Sequence, residues 1–408
     1  MSATTAMPAT QAPAPAFLGG SGGGAVPRGR SARPPTSGTS SRSSMTASSC
    51  IVAPPPGGFS RRFPPSLMVS AYQKRGGATL TRAPRPRRTV RTAAARCWRP
   101  PCYPWVVPLP AADVEIDAAR AAALVGDAFP ALVGAPVRPF GSGYDNAAFL
   151  VDETWVFRFP RRRAAVFFLE RELAALPRLS LPVAIPAPRH VSRPRLGFPF
   201  PFAGYRVLPG RPAGVVPEDA QPPLAAQLGE ALRALHAARL DVDGTPAPDL
   251  DKTDRPRALR RLRLRLRRME RGGRLGGWSG AEIFELASAL AAAEDASDAC
   301  WVHGDLYPKH LLLDDAERLS GIIDWGDLRR GDRAIDLAIA YGLFAPPARA
   351  RFFEALGGVD EATHRRARFF AVWYGVVLSD FGVSEGMDDL VEIGQAYLAR
   401  RLAEERSR

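Results

Sequence analysis

The stretch from Trp301 to Asp336 constrains this 408-residue chain more than any other. Two short apolar runs, HLLLDD from His310 and LSGIIDW from Leu319, are separated by a polar turn, which predicts the two strands of a hairpin. Asp305 stands just before the first run, on a loop entering a strand, and Asp324 closes the second. Pairing the runs brings two carboxylates to one cleft. Either aspartate alone reads as a turn cap or a strand end. Together, with His303-Gly304 before them and Asp336-Leu337-Ala338 after, they read as a site where one carboxylate orients a proton and the other holds a cation.

The formal net charge of +14 first suggests a nucleic-acid partner, but its distribution argues otherwise. Of 55 Lys/Arg, 15 fall within residues 1–110, which hold no Asp or Glu; the remaining 40 face 41 acidic residues. Residues 1–105 are rich in Pro, Gly, Ser, Ala and Arg, a composition that cannot bury enough apolar surface to offset the entropy of ordering. We expect residues 1–110 to be a disordered basic tail. A genuine arm, a transit peptide and upstream sequence translated from a misassigned start all fit it. The last is favoured, with Met68 or a later codon as the true start, because ordered patterning begins abruptly near Asp113. Nucleic-acid binding is expected only non-specifically, through this tail.

Cys50, Cys97 and Cys102 lie in the tail, and Cys300 alone in the remainder, so no disulfide or zinc framework is expected. No apolar run approaches the roughly 20 residues of a membrane span, and no secretory pattern opens the chain; we expect a cytoplasmic protein.

From Asp113 a helix is predicted, ended by Pro130, then strands in APVRPFGSG, NAAFLVD and TWVFRFP. In the last, Trp155, Phe157 and Phe159 alternate with Val156 and Arg158, so Arg158 lies opposite the aromatics. Residues 163–178 read as a helix and PFAGYRVLPG as a strand. Helical patterning follows from Gln221. In 257–270, Leu259, Leu262, Leu266 and Met269 share one face, and the arginines on the others read as a solvated face rather than an anion site. Glu282–Ala296 and the last 70 residues are also predicted helical.

The run His303-Gly304-Asp305, then Ile323-Asp324-Trp325-Gly326-Asp327, then Asp336-Leu337-Ala338, resembles the motifs HGD-x4-N, I-D-[WF]-G-D and D-L-A of the aminoglycoside phosphotransferase family, relatives of protein and choline kinases. The resemblance covers about residues 113–400. It implies an α+β, two-lobed kinase-like domain over 111–402, with the N-lobe about 111–204, the hinge about 205–210 and the C-lobe about 211–402. It implies that Asp305 is the catalytic base, Asp324 a Mg²⁺ ligand, and His303 and Asp336 structural supports. Gly141-Ser142-Gly143 corresponds to the phosphate-covering loop. Glu172 corresponds to the helix glutamate that pairs with the nucleotide-holding base, Glu170 being the competing choice. Tyr205 to Leu208, including Val207, corresponds to the hinge that meets adenine.

Two positions depart from the pattern. Arg158 stands where kinases place a Lys, offering a planar fork instead of a point charge. His310 stands where the family has Asn, offering nitrogen where Mg²⁺ prefers oxygen, so Mn²⁺ becomes possible. The implied function is ATP-dependent phosphorylation of a hydroxyl on a small molecule, antibiotic or metabolite. The alternative is a catalytically impaired nucleotide-binding pseudokinase. Glu385, Asp388, Asp389 and Glu392 form an acidic group where the family meets cationic acceptors, though such a run also reads as a solvated helix or turn.

Overall fold

The computed structural model describes residues 112–143, 145–245, 254–295 and 298–407; the expectation for the tail lies outside them. Helix α1 (Ala118–Ala128) begins a few residues after Asp113, where the Asp117 side chain accepts from the Arg120 amide at 2.8 Å. Five antiparallel strands follow: β1 (Val137–Ser142), β2 (Asn146–Val151), β3 (Trp155–Pro160), β4 (Pro188–Ser192) and β5 (Phe202–Arg206). They pair in the order β1-β2-β3-β5-β4. One face of the sheet buries Phe149, Phe157, Phe159 and Phe202 against Leu124 and Val125 of α1, with Phe159 and Phe202 stacked at 4.6 Å. Helix α2 (Arg163–Ala175) links β3 to the segment leading into β4. Strand β4 was not expected from the sequence; Pro188 and alternate exposure mark it as an edge strand with a weak apolar signal.

The chain crosses to the helical lobe through β6 (Arg211–Pro212), which pairs with β8 (Leu311–Leu313); β8 pairs in turn with β9 (Leu319–Ile322). The last two strands are the hairpin predicted from the two apolar runs. A second pair, β7 (Cys300–Val302) with β10 (Arg329–Gly331), brackets the loop of His303 to Asp305.

The helices are α3 (Gln221–Ala237), α4 (Arg255–Arg271), α5 (Gly280–Ala291), α6 (Ala334–Leu343), α7 (Pro346–Leu356), α8 (Glu361–Glu385) and α9 (Asp388–Arg406). Helices α8 and α9 approach so closely that a Cβ on Gly394 would stand 2.6 Å from the Gly375 carbonyl. Helix α5 starts at a capping box, Ser279 with Glu282, and stops at Ala291, short of the expected Ala296.

Helix α4 corrects one reading. Leu262, Leu266 and Met269 are buried as expected, but so are Arg255 and Arg265. Arg265 Nη1 donates to Asp380 Oδ2 at 2.5 Å and Arg268 Nε to Asp380 Oδ1 at 2.9 Å, both across to α8. A buried carboxylate, not solvent, takes Arg265 and Arg268, which a helical wheel cannot reveal, while Arg260, Arg263 and Arg267 are exposed as expected.

Candidate active site

The period of β3 buries Phe157 and Phe159 and turns Arg158 to the cleft. Its guanidinium donates from Nη1 to Glu172 Oε2 at 2.9 Å and from Nη2 to Asp324 Oδ1 at 3.2 Å, joining sheet, α2 and hairpin. Glu170 is exposed, so Glu172 is the partner that the fold selects. Burial alone would weaken the Arg158 charge, but Glu172 and Asp324 hold its pKa above the ordinary value. Burial raises the Glu172 carboxyl, against the pull of Arg158.

Asp324 leaves β9 in the left-handed region, φ 63°. A non-glycine residue there carries roughly 1–3 kcal/mol of strain and stays only where its surroundings over-determine it.

The loop after β7 is held from below. Asp336, at the start of α6, accepts from the His303 amide at 2.9 Å and the Gly304 amide at 2.8 Å. His236, at the end of α3, places Nε2 3.2 Å from the same carboxylate. Burial would raise the Asp336 carboxyl, but His236, His303 and the Gly304 amide hold it below the usual range. Gly304 has φ 81°, and a Cβ there would run into the Arg329 guanidinium, so only glycine fits.

His303 Nε2 donates to the Ile323 carbonyl at 3.0 Å, and Nδ1 accepts from the Asp305 amide at 3.3 Å. Burial, with His310 beside it, pushes the His303 imidazole down to about 4, so it is neutral. Tyr374 of α8 places its hydroxyl 3.3 Å from Asp305 Oδ1 and 3.4 Å from the Gly304 carbonyl. His310 Nδ1 lies 2.6 Å from the Asp305 carbonyl and Nε2 lies 3.4 Å from Asp324 Oδ2. Among the described residues, no group of three or more His, Cys, Asp or Glu side chains could hold a metal ion alone.

Beside these groups opens a cavity of about 300 Å³, bordered by Gly141, Ser142 and Gly143 on one side and by Tyr205, Val207 and Leu208 on the other. That volume lies at the lower end for small-molecule sites. Two expected backbone donors are already engaged: the Gly143 amide donates to Asn146 and the Val207 amide to Thr154, each at 2.9 Å. Tyr205 is buried beside the Arg158–Glu172 pair. Under the loop tip, Asp145 pairs with Arg162; burial pushes Asp145 up to about 7 against that pull, with Asp327 and Asp324 adding to the rise.

The cleft thus brings together Gly141–Gly143, Arg158, Glu172, Tyr205, Val207, Asp305 and Asp324, with His303, His310 and Asp336 supporting it from the helical lobe, and leaves Glu170 outside. Reasoning from sequence missed Tyr374, His236 and the Lys309–Asp389 ion pair, which ties the loop to α9 and engages one of the four acids near the C-terminus. A signal for Tyr374 existed: a phenol inside the apolar run from Phe369 to Leu378 of α8 requires a buried partner.

Comparison with known proteins agrees with this architecture. Solved structures of aminoglycoside 2'-phosphotransferase-IIIa, in a GDP complex, and of APH(2")-IIIa, in a GDP and kanamycin complex, each share 24% identity with the chain. The first covers 71% of this chain and 100% of its own at TM-score 0.52; the second covers 70% and 97% at TM-score 0.50. These likenesses show the kinase-like fold. An uncharacterized protein of Bacillus subtilis (strain 168), YcbJ, is 35% identical over 63 residues, 14% of this chain and 21% of its own length. The model of the phosphotransferase enzyme family, APH, matches residues 136–370, more than half of the chain. The chain belongs to the APH phosphotransferase enzyme family.

Proposed function

We propose that this enzyme transfers the γ-phosphoryl group of ATP to a hydroxyl of a small molecule. The observation that carries the reading is the bridge from Arg158 to Glu172 and Asp324, set beside the buried Asp305 and opening onto the cavity. Phosphoryl transfer needs little more than positioning and charge compensation, and this set offers both.

Arg158 holds the α- and β-phosphates, with Glu172 fixing its fork. Asp305, whose carboxylate Tyr374 positions, accepts the hydrogen bond of the acceptor hydroxyl and orients it for in-line attack. The triphosphate enters between the Gly141–Gly143 loop and the Tyr205–Leu208 segment. The GDP in the aminoglycoside 2'-phosphotransferase-IIIa structure supports nucleotide use and makes GTP the comparison nucleotide.

The donor set fits a divalent cation: Asp324 borders the cavity, with the buried His310 Nε2 3.4 Å behind its Oδ2, and nucleotide oxygens and water complete such shells in phosphoryl-transfer sites. A cation held by Asp324 would supply charge neutralisation to the phosphate oxygens. The alternative of binding without turnover finds no support, since both carboxylates are in place and the family is one of enzymes.

An acceptor screen coupled to ADP release tests the reading, run over aminoglycosides, macrolides, amino alcohols and sugars with Mg²⁺ and with Mn²⁺. The expected result is release dependent on one acceptor class. Nucleotide binding without acceptor-dependent release across the whole panel would remove it.

A further inference from the structure

Arg161 and Arg162 link β3 to α2, and Arg161 joins two segments that are distant in sequence. Its amide donates to the Asp145 carbonyl at 2.7 Å, and its carbonyl accepts from the amides of Asp113 at 2.9 Å and Val114 at 3.1 Å. Its guanidinium donates from Nη1 to the Gly143 carbonyl and from Nη2 to Glu115 Oε1, each at 3.0 Å. Gly143 and Asp145 belong to the loop between β1 and β2, and residues 113–115 to the segment that leads into α1. The lead segment also caps α2: Asp113 Oδ2 accepts from the Arg163 amide at 2.8 Å, where the N-cap residue Arg162 supplies no side-chain acceptor.

A loop with glycines at 141 and 143 has much freedom to lose, and a ligand that must order it binds more weakly. The β1–β2 ladder holds it only in part, since the register shifts between Pro139 and Gly141. The Arg161 side chain is 16% exposed, and its bond to the Gly143 carbonyl is charge-assisted, so this tie is a firm one. Glu115 is 75% exposed, so its ion pair adds little stability and serves to aim the fork. We propose that Arg161 is a positioning residue of the nucleotide site: it holds the loop of residues 141–143 over the cavity, and residues 113–115 hold Arg161. The inference rests on the reading of that loop as the one that covers the phosphates. It makes the segment ahead of α1 part of the nucleotide machinery, although residues 113–115 do not border the cavity.

The test compares Arg161→Met with the unaltered full chain by hydrogen exchange and by ATP affinity, with GTP run alongside. The substitution removes the side-chain ties and keeps the backbone ones. The expected result is exchange about tenfold faster in the loop between β1 and β2, unchanged exchange in the helical lobe, and nucleotide affinity about tenfold weaker. Unchanged exchange in the loop would overturn the inference, as would faster exchange across the whole domain, or a freed loop with unchanged affinity. Should Arg161→Met fold poorly, Glu115→Ala, at an exposed carboxylate, decides by the same two readings, each expected to change about threefold. No change in either reading would then overturn the inference. All of these results leave the proposed function standing, whereas an unaltered chain that takes up neither ATP nor GTP would overturn both.

Discussion

On the helical side of the cleft, His303, Asp305, His310 and Asp336 are each 2% exposed or less; the side chains of His303, His310 and Asp336 bond backbone groups, and the Asp305 carboxylate accepts from the Tyr374 hydroxyl. On the sheet side, the Arg158 side chain is 15% exposed and is held by carboxylates from α2 and from the hairpin. The helical side is set by directional hydrogen bonds in a dry interior, where each lost partner leaves a buried polar group unsatisfied. The sheet side is set by charge near solvent, where phosphate oxygens can compete for the same fork. On the proposed reading, the loop that would orient the acceptor is fixed by folding, and the Arg158 clamp is the part that would respond to nucleotide.

The comparison can be broken most directly at Asp336. Removing its carboxylate in Asp336→Ala leaves the His303 and Gly304 amides buried without acceptors, for an expected loss of about 3–5 kcal/mol in denaturant unfolding. A loss below about 1 kcal/mol would mean the loop is not held from below.

The next effect is one of pH. His303 titrates near 6.5 when unfolded and about 4 when folded, so between those values the unfolded chain binds more protons. Its contribution is present above pH 6.5 and is lost as pH falls toward 4, a span worth about 3 kcal/mol. Unfolding at pH 7.5 and pH 4.5 should show His303→Gln losing less on acidification than the unaltered chain. Equal losses would place the acid sensitivity elsewhere.

The smallest effect belongs to the sheet side. Arg158→Lys keeps the charge but cannot span Glu172 and Asp324 together, so nucleotide affinity should fall about 3–10-fold, roughly 1 kcal/mol, with the melting temperature nearly unchanged. A large loss of stability in this variant would erase the contrast between the two walls.

The hairpin and its two aspartates were legible because local patterning carries them: apolar runs, a polar turn, and carboxylates at the run ends. The choice of Glu172 over Glu170 was not a matter of pattern, since it depends on which face of α2 the sheet covers. Contacts between distant segments were illegible for the same reason. Nothing near Asp380 in the chain announces Arg265, 115 residues away, and nothing near Asp305 announces Tyr374, 69 residues on. Strands β7 and β10 are three residues each, too short to show a period, yet their pairing brackets the loop of His303 to Asp305.

The central claim is that Asp305 orients the acceptor in a phosphoryl transfer while taking no part in holding the nucleotide. Its most direct test measures nucleotide affinity and acceptor-dependent ADP release side by side in Asp305→Asn. The account predicts affinity within about threefold of the unaltered chain and turnover reduced by roughly a thousandfold. Turnover within tenfold of the unaltered chain would contradict it.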